Sequence, residues 1–186
     1  MPSLRAINGT YTHTALENIR VDGDSLRVLA RVQPIGWKPV VSLPGPHGSP
    51  SGGSTPGQRA LRLPTGEIAV VASESRGGNA LVAFRRRSAT GAWGPPEDVN
   101  TSGAPALEPT IAPLGGSDVA VFWSDTRDGA YELYYRARRQ GAWMPEVRLT
   151  DLDGSSRYPA AAPDGSGGLH LAWLYTPPAS NPRVYY

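Results

Sequence analysis

The chain contains no cysteine. This absence excludes disulfide bonds, thiolate metal sites and cysteine nucleophiles. Histidine is also scarce, and the three copies, His13, His47 and His170, lack the spacing of metal ligands. We therefore expect neither a metal site nor a cofactor.

Long apolar runs are missing as well. No segment approaches the roughly twenty apolar residues of a membrane-spanning helix, and the first residues lack the apolar run of a signal peptide. We expect no membrane span. The sequence alone is compatible with a cytosolic chain or with a piece of an exported one.

Charge of one sign is not in excess, since 18 basic and 16 acidic residues give a formal net charge of +2. The main basic cluster, Arg85-Arg86-Arg87, would be divided between the two faces of a strand, because alternate strand residues point to opposite sides. The sequence therefore does not favour a nucleic-acid partner.

Turn-forming residues are abundant, with 22 glycines and 19 prolines spread along the chain. This composition favours many short strands joined by tight turns. No helical period is evident. Five tryptophans and eight tyrosines accompany only two phenylalanines, so most aromatic rings can both pack and hydrogen-bond, or stack on a sugar. We expect an all-β fold.

An internal repeat of about fifty residues is visible. Trp-x-Pro triplets begin at Trp37, Trp93 and Trp143, which are 56 and 50 residues apart, and an aliphatic residue follows each tryptophan by six positions. Pro109 and Pro159 are also fifty residues apart, as are Trp123 and Trp173, which we expect in the core. Repeats of this length made of strands are typical of β-propellers.

The clearest repeat contains four candidate strands, PTIAPL, DVAVFWS, AYELYYRAR and WMPEVRL, with a hairpin signal at Asp128-Gly129. Four antiparallel strands form one propeller blade. The second of these strands is expected to alternate between buried and exposed residues. Blade strands are predicted near residues 68–73, 80–87, 118–124, 131–138 and 168–174.

The predicted organisation is an incomplete propeller. Residues 1–43 form a partial or degenerate blade, in which SLRVLARV is either the second or the third strand, and 44–57 are a flexible loop or linker rich in glycine, proline and serine. The blades cover 58–105, 106–155 and, incompletely, 156–186. We expect closure by the remaining blades of a larger propeller or by self-association. The alternative is that N-terminal strands complete the last blade.

Residues 58–186 resemble the repeats of sialidase-like propellers, also called Asp-box or bacterial neuraminidase repeats. The resemblance rests on WSDTRDG, on the following YYR strand and on the Gly-x-Trp turns; SATGAW at 88–93 keeps the serine, glycine and tryptophan of the Asp-box. It implies an extracellular or cell-envelope location and a glycan or an extracellular protein as partner.

Catalytic members of that family use three arginines on the sialate carboxylate, an Arg-Ile-Pro motif, a Tyr–Glu nucleophile pair and an aspartate acid/base. This chain has no Arg-Ile-Pro, and its nearest match is Arg157-Tyr158-Pro159. We therefore expect a non-catalytic binding module, with the alternative that the chain is part of a glycoside hydrolase of the exo-sialidase type.

The candidate site lies where the turns between second and third strands meet the connections between blades. Two such turns carry an acid–x–Arg pattern 51 residues apart, and a blade connection adds Asp151 and Asp153. The candidate ligand-binding residues are Glu74, Arg76, Asp125, Arg127, Arg157 and Tyr158. The residues alone favour the simpler interpretation, in which each acid–x–Arg pair stabilises its own hairpin through a local, weak ion pair.

Overall fold

The computed structural model describes residues 57–186 throughout and, before them, the backbone of three strands. The strands are β1 (His13–Asp22), β2 (Ser25–Gln33), β3 (Ser49–Pro50), β4 (Ala60–Arg62), β5 (Ile68–Arg76), β6 (Asn79–Arg87), β7 (Glu97–Asp98), β8 (Ala106–Gly115), β9 (Asp118–Asp125), β10 (Glu132–Arg139), β11 (Ala142–Trp143), β12 (Val147–Arg148), β13 (Ser155–Pro163), β14 (Leu169–Thr176) and β15 (Arg183–Tyr185).

The chain divides into two units, Met1–Ser42 and Leu43–Tyr186. In the first unit, β1 and β2 form an antiparallel hairpin in which Asp22 pairs with Ser25. Most of the predicted loop at 44–57 lies outside the described residues, as does the Trp-x-Pro triplet at Trp37.

The second unit contains three antiparallel sheets in chain order. The first sheet comprises β3 to β7, the second comprises β8 to β12, and the third comprises β13, β14 and β15. Within each sheet, the long strands that follow one another in the chain are hydrogen-bonded neighbours. The expected all-β class is confirmed for the described residues, and the ends of the predicted strands lie within three residues of the observed ones. No helix long and apolar enough to cross a membrane occurs in the part of the chain described here.

The second sheet packs between the other two. One of its faces shares a core with the first sheet, where Phe84 and Val71 meet Ile111, Val121 and Trp123. The opposite face shares a smaller core with the third sheet. Because both faces are covered, nearly every residue of β9 is buried. The predicted alternation along this strand is therefore wrong.

The two tryptophans assigned to the core differ in burial. Trp123 is fully buried between the first and second sheets, as the sequence predicts. Trp173 is only half-buried, so its core assignment is correct only in part. The third sheet has three strands, and its outer strand β15 is largely exposed. For this reason its side chains are less buried.

The segment just before β4 lies close to the first strands of the second and third sheets, β8 and β13. A Cβ atom on Gly57 would lie 2.8 Å from Cβ of Thr110 and 2.9 Å from the carbonyl oxygen of Pro159. The amide of Ile111 donates to the carbonyl of Gln58, at 2.9 Å. Only small side chains fit where backbones approach this closely. Position 57 therefore has no room for a side chain, and glycine fits there.

Matching irregularities interrupt β8 and β13. The register shifts between Leu107 and Thr110 in β8, and between Arg157 and Ala160 in β13. Each bulge precedes a proline and holds a residue in the left-handed region, Glu108 with φ 58° and Tyr158 with φ 56°. Bulges of this kind re-aim the side chains beside them.

Candidate functional site

The candidate residues lie at one end of the sheets, which we call the loop end. The β5–β6 and β9–β10 turns reach this end, as do the connections from β7 to β8 and from β12 to β13. The pairing demonstrates this, because Asp125 at the end of β9 faces both Ala106, which begins β8, and Glu132, which begins β10. The charged side chains of two turns and two connections are thereby brought to the same edge.

In the first sheet, Arg76 bridges two carboxylates. Its Nη2 donates to Oε2 of Glu74 at 2.8 Å, and its Nη1 donates to Oδ1 of Asp98 at 2.8 Å. The hydrogen bond to Glu74 raises the pKa of Arg76 above its usual value. The predicted acid–x–Arg pair therefore forms, and a second acid from the end of β7 joins it.

In the second sheet, Arg127 holds two buried carboxylates together. Its Nη2 lies 2.6 Å from Oδ2 of Asp125 and 2.7 Å from Oε2 of Glu146. The side chain of Asp125 is fully buried and that of Glu146 is 10% exposed. Burial alone would lower the pKa of Arg127, but the hydrogen bonds to both acids outweigh it and raise the pKa.

Both carboxylates also accept hydrogen bonds from other groups. The indole Nε1 of Trp123 donates to Oδ2 of Asp125 at 3.0 Å. Oε1 of Glu146 accepts from the amide and the hydroxyl of Thr101, each at 2.7 Å. These bonds connect the β9–β10 turn to the connection before β8. The local ion pair expected between Asp125 and Arg127 therefore forms, but it is not confined to its hairpin, because Glu146 joins it, and its charges are largely shielded from solvent.

A second cluster in this sheet surrounds Arg148. Its Nη2 donates to Glu132 at 3.1 Å and to Asp151 at 2.6 Å, and its Nη1 lies 3.5 Å from Asp128. The hydroxyl of Tyr134 donates to Asp128. Burial, together with that bond, raises the pKa of Tyr134 to about 12.

Arg157 joins the second and third sheets. Its guanidinium donates to both carboxylate oxygens of Glu108, the residue in the β8 bulge. The amide of Tyr158 and the hydroxyl of Ser124 donate to the same carboxylate, at 3.1 and 2.8 Å. The guanidinium carbon lies 4.3 Å from the ring centre of Tyr131 and 4.8 Å from that of Tyr158. The arginine thus stacks against two tyrosine rings at the loop end.

The six candidate residues therefore form three groups, one on each sheet: Glu74 with Arg76, Asp125 with Arg127, and Arg157 with Tyr158. The other two residues named from the blade connection are also engaged. Asp151 binds Arg148, and Asp153 accepts from the hydroxyl of Tyr175, which raises the pKa of that tyrosine to about 12.

Sequence reasoning missed several members of these groups. They are Asp98, Glu108, Glu132, Glu146 and Arg148. Glu108 had a usable signal, since it precedes Pro109, one of the repeat anchors. At the other positions the sign of the charge does not recur at the repeat period, as Asp98 and Arg148, fifty residues apart, illustrate. Repeat analysis therefore could not single them out.

Negative charge dominates the loop end. Its guanidiniums, those of Arg76, Arg127, Arg148 and Arg157, each contact at least one carboxylate. Its carboxylates outnumber them and belong to Glu74, Asp98, Glu108, Asp125, Asp128, Glu132, Glu146, Asp151 and Asp153. A carboxylate ligand would have to compete with an existing carboxylate partner for each of these arginines.

The acids do not form a metal site. Within the residues that the structure describes, no group of three or more histidine, cysteine, aspartate or glutamate side chains is arranged to hold a metal ion.

No protein-family model matches the chain, and no curated protein is significantly similar to it.

Proposed function

We propose that this chain is a non-catalytic, sialidase-like β-propeller module whose loop end binds a neutral glycan through carboxylates and tyrosines. The repeat and the packing support the propeller. Three antiparallel sheets pack face to face, and Gly57, just before β4, lies close to Thr110 of β8 and Pro159 of β13. Blades that converge on an axis have this arrangement.

The observation that carries the proposal is the pairing of every loop-end arginine with a carboxylate. A sialidase uses three arginines to hold the carboxylate of its substrate, and here those positions would already be neutralised. Surplus carboxylates instead suit sugar hydroxyls, which donate hydrogen bonds to them. Tyr131 and Tyr158, both partly exposed, supply rings on which a sugar can stack.

A glycan array probed with the whole chain, followed by titration calorimetry, tests this function. We expect neutral glycans to bind and sialylated ones to bind more weakly. Tyr158→Ala should weaken binding about tenfold or more. The matched control is Tyr186→Ala, since Tyr186 is 79% exposed and lies near His170, away from the loop end. A preference for sialylated glycans, or equal binding by both variants, would refute the proposal.

The same proposal has a second form, in which the ligand of the loop end is a protein instead of a glycan. Because the loop end carries surplus negative charge, it would select a basic segment, and binding would weaken steeply as salt is added. Binding of a neutral glycan should depend little on salt, so a salt series separates the two ligand classes.

The alternative function is glycoside hydrolysis of the exo-sialidase type. It is favoured by two tyrosine–carboxylate pairs, Tyr134 with Asp128 and Tyr175 with Asp153, since the family's nucleophile is a tyrosine beside an acid. Burial and the bond to Asp128 raise the pKa of Tyr134 to about 12, and the bond to Asp153 raises that of Tyr175 to about 12. A raised pKa disfavours the ionised nucleophile, so these pairs fit a structural role better.

A further inference from the structure

Arg157 has fewer acid partners than the other arginines of the loop end. Arg76 and Arg127 each contact two carboxylates, and Arg148 contacts three. Among the residues that the structure describes, Glu108 is the only carboxylate in ion-pair contact with Arg157. The guanidinium donates to it through Nε and Nη2. A single acid therefore determines whether Arg157 is neutralised.

Glu108 is itself held in place by its surroundings. Its side chain is only 5% exposed. The hydroxyl of Ser124 and the amide of Tyr158 donate to the same oxygen of its carboxylate, at 2.8 and 3.1 Å. Its backbone is in the left-handed region, with φ 58°, a conformation that residues other than glycine keep only where their neighbours enforce it. Strained residues of this kind cluster at ligand sites.

The guanidinium of Arg157 lies close to two tyrosine rings. Its carbon is 4.3 Å from the ring centre of Tyr131 and 4.8 Å from that of Tyr158. Both rings are partly exposed, and the side chain of Arg157 is 32% exposed. A sugar that stacks on either ring would therefore lie beside the guanidinium. Arginine binds carboxylates through paired hydrogen bonds, so this place would suit an acidic sugar if Glu108 did not occupy it.

We propose that Glu108 determines the specificity of the loop end, because by holding Arg157 it excludes acidic sugars and leaves the tyrosine rings to neutral ones. This inference rests on the proposed glycan-binding function and adds the residue that sets its selectivity. The carboxylate of an incoming sugar has to compete with an acid that is already buried and hydrogen-bonded, and it is repelled by the charge of that acid. Removal of the acid should free the guanidinium for an acidic sugar.

The direct test compares two sugars, glucose and glucuronate, which differ in that the second carries a carboxylate. Each is titrated by NMR into the whole chain, as wild type and as Glu108→Gln. Glutamine has the size of glutamate and keeps an oxygen that can accept from Ser124, but it removes the negative charge. The affinity for glucuronate should rise about tenfold or more, since an ion pair with hydrogen bonds is gained, while the affinity for glucose does not rise. Absence of that gain would overturn the proposal.

Asp151→Asn is the matched control for the change in charge. Asp151 also belongs to the loop end and contacts Arg148. That arginine keeps Glu132 and Asp128 when the charge of Asp151 is removed. Both variants thus remove one negative charge from the same end, but only Glu108→Gln frees an arginine. The control should change the affinity for glucuronate by less than about twofold, because exposed charges are screened by salt. Equal gains in the two variants would refute the assignment.

A double variant identifies the group that receives the carboxylate. Adding Arg157→Gln to Glu108→Gln removes the guanidinium, and so the gained affinity for glucuronate should be lost. Retention of the gain would place the carboxylate elsewhere and contradict the proposal. If Glu108→Gln does not fold, Glu108→Gly provides the same test, because glycine adopts a φ of 58° without strain.

The failure of this inference can be distinguished from the failure of the proposed function. Wild type that binds neutral glycans, together with a Glu108→Gln variant that gains no affinity for glucuronate, would leave the function intact and refute the role of Glu108. Wild type that binds no glycan would refute the proposed function. The role of Glu108 as a barrier to anions would then be decided by glucuronate binding to Glu108→Gln alone.

Discussion

Replacing Arg127 by alanine should destabilise the protein far more than a surface charge normally does. Arg127 neutralises Asp125, which is fully buried, and Glu146, which is 10% exposed. Its removal leaves two acids without their shared cation, both of them within 2.7 Å of the nitrogen that is lost. Removing one partner of a buried ion pair costs about 3–5 kcal/mol. The arginine itself is 22% exposed, so we expect the lower part of that range.

A double variant separates the loss of charge balance from the loss of packing. Arg127 also stacks on Tyr134, with its guanidinium carbon 4.1 Å from the ring centre, and alanine removes that contact too. Adding Glu146→Gln to Arg127→Ala removes one of the uncompensated charges but keeps an oxygen that can accept from Thr101. The double variant should recover about 1–2 kcal/mol relative to Arg127→Ala, since neighbouring substitutions in one network are not additive.

Urea unfolding at pH 7.5 measures both effects. A cost of Arg127→Ala below about 1 kcal/mol, the value of an exposed pair, would refute this reasoning, as would a double variant that is no more stable than Arg127→Ala.

Further outcomes follow from the same structure. Trp123→Ala should lower the free energy of unfolding by about 3–5 kcal/mol, measured by urea denaturation, because the indole is fully buried and donates to Asp125. The pKa of Tyr134 is raised to about 12, so the stabilisation that its hydroxyl provides is present below pH 10 and is lost towards pH 12. The difference in unfolding free energy between wild type and Tyr134→Phe should therefore narrow over that window, and a constant difference would contradict the shift. The purified chain should cleave a fluorogenic sialoside no faster than its Arg157→Ala variant. Hydrogen exchange should be slower in β9 than in β14, because only β9 is buried along nearly its whole length.

The strands were predictable because each depends on local signals. Turn residues such as Asp128-Gly129 mark the ends of strands, and the repeat period transfers a clear strand in one sheet to a less clear one in the next. The burial of β9 was not predictable from its own residues. Whether its second face meets water or another sheet depends on the neighbouring repeat, and a one-strand pattern carries no information about that neighbour.

The charged groups were predictable only where both partners lie in one turn. The Glu74–Arg76 pair and the Asp125–Arg127 pair each need only a two-residue separation, and the sequence displays them directly. Asp98 and Glu146 join them from 22 and 19 residues away in the sequence. Such contacts depend on how the strands are arranged, and so they were outside the reach of spacing arguments. The resemblance to sialidase-like propellers stays a prediction.

The most consequential miss concerns Glu108 and Arg157. The sequence suggested Arg157 as a ligand-binding residue, but β8 and β13 carry equivalent bulges, and the packing of one strand on the other places Glu108 against Arg157. In both strands the bulge holds a left-handed residue directly before a proline, and this residue is Glu108 in β8 but Tyr158 in β13. A repeat therefore preserves the backbone while its side chains diverge. For this reason the positions of a loop-end site can be inferred from the period, whereas the sign of its charge has to be read from the contacts between neighbouring sheets.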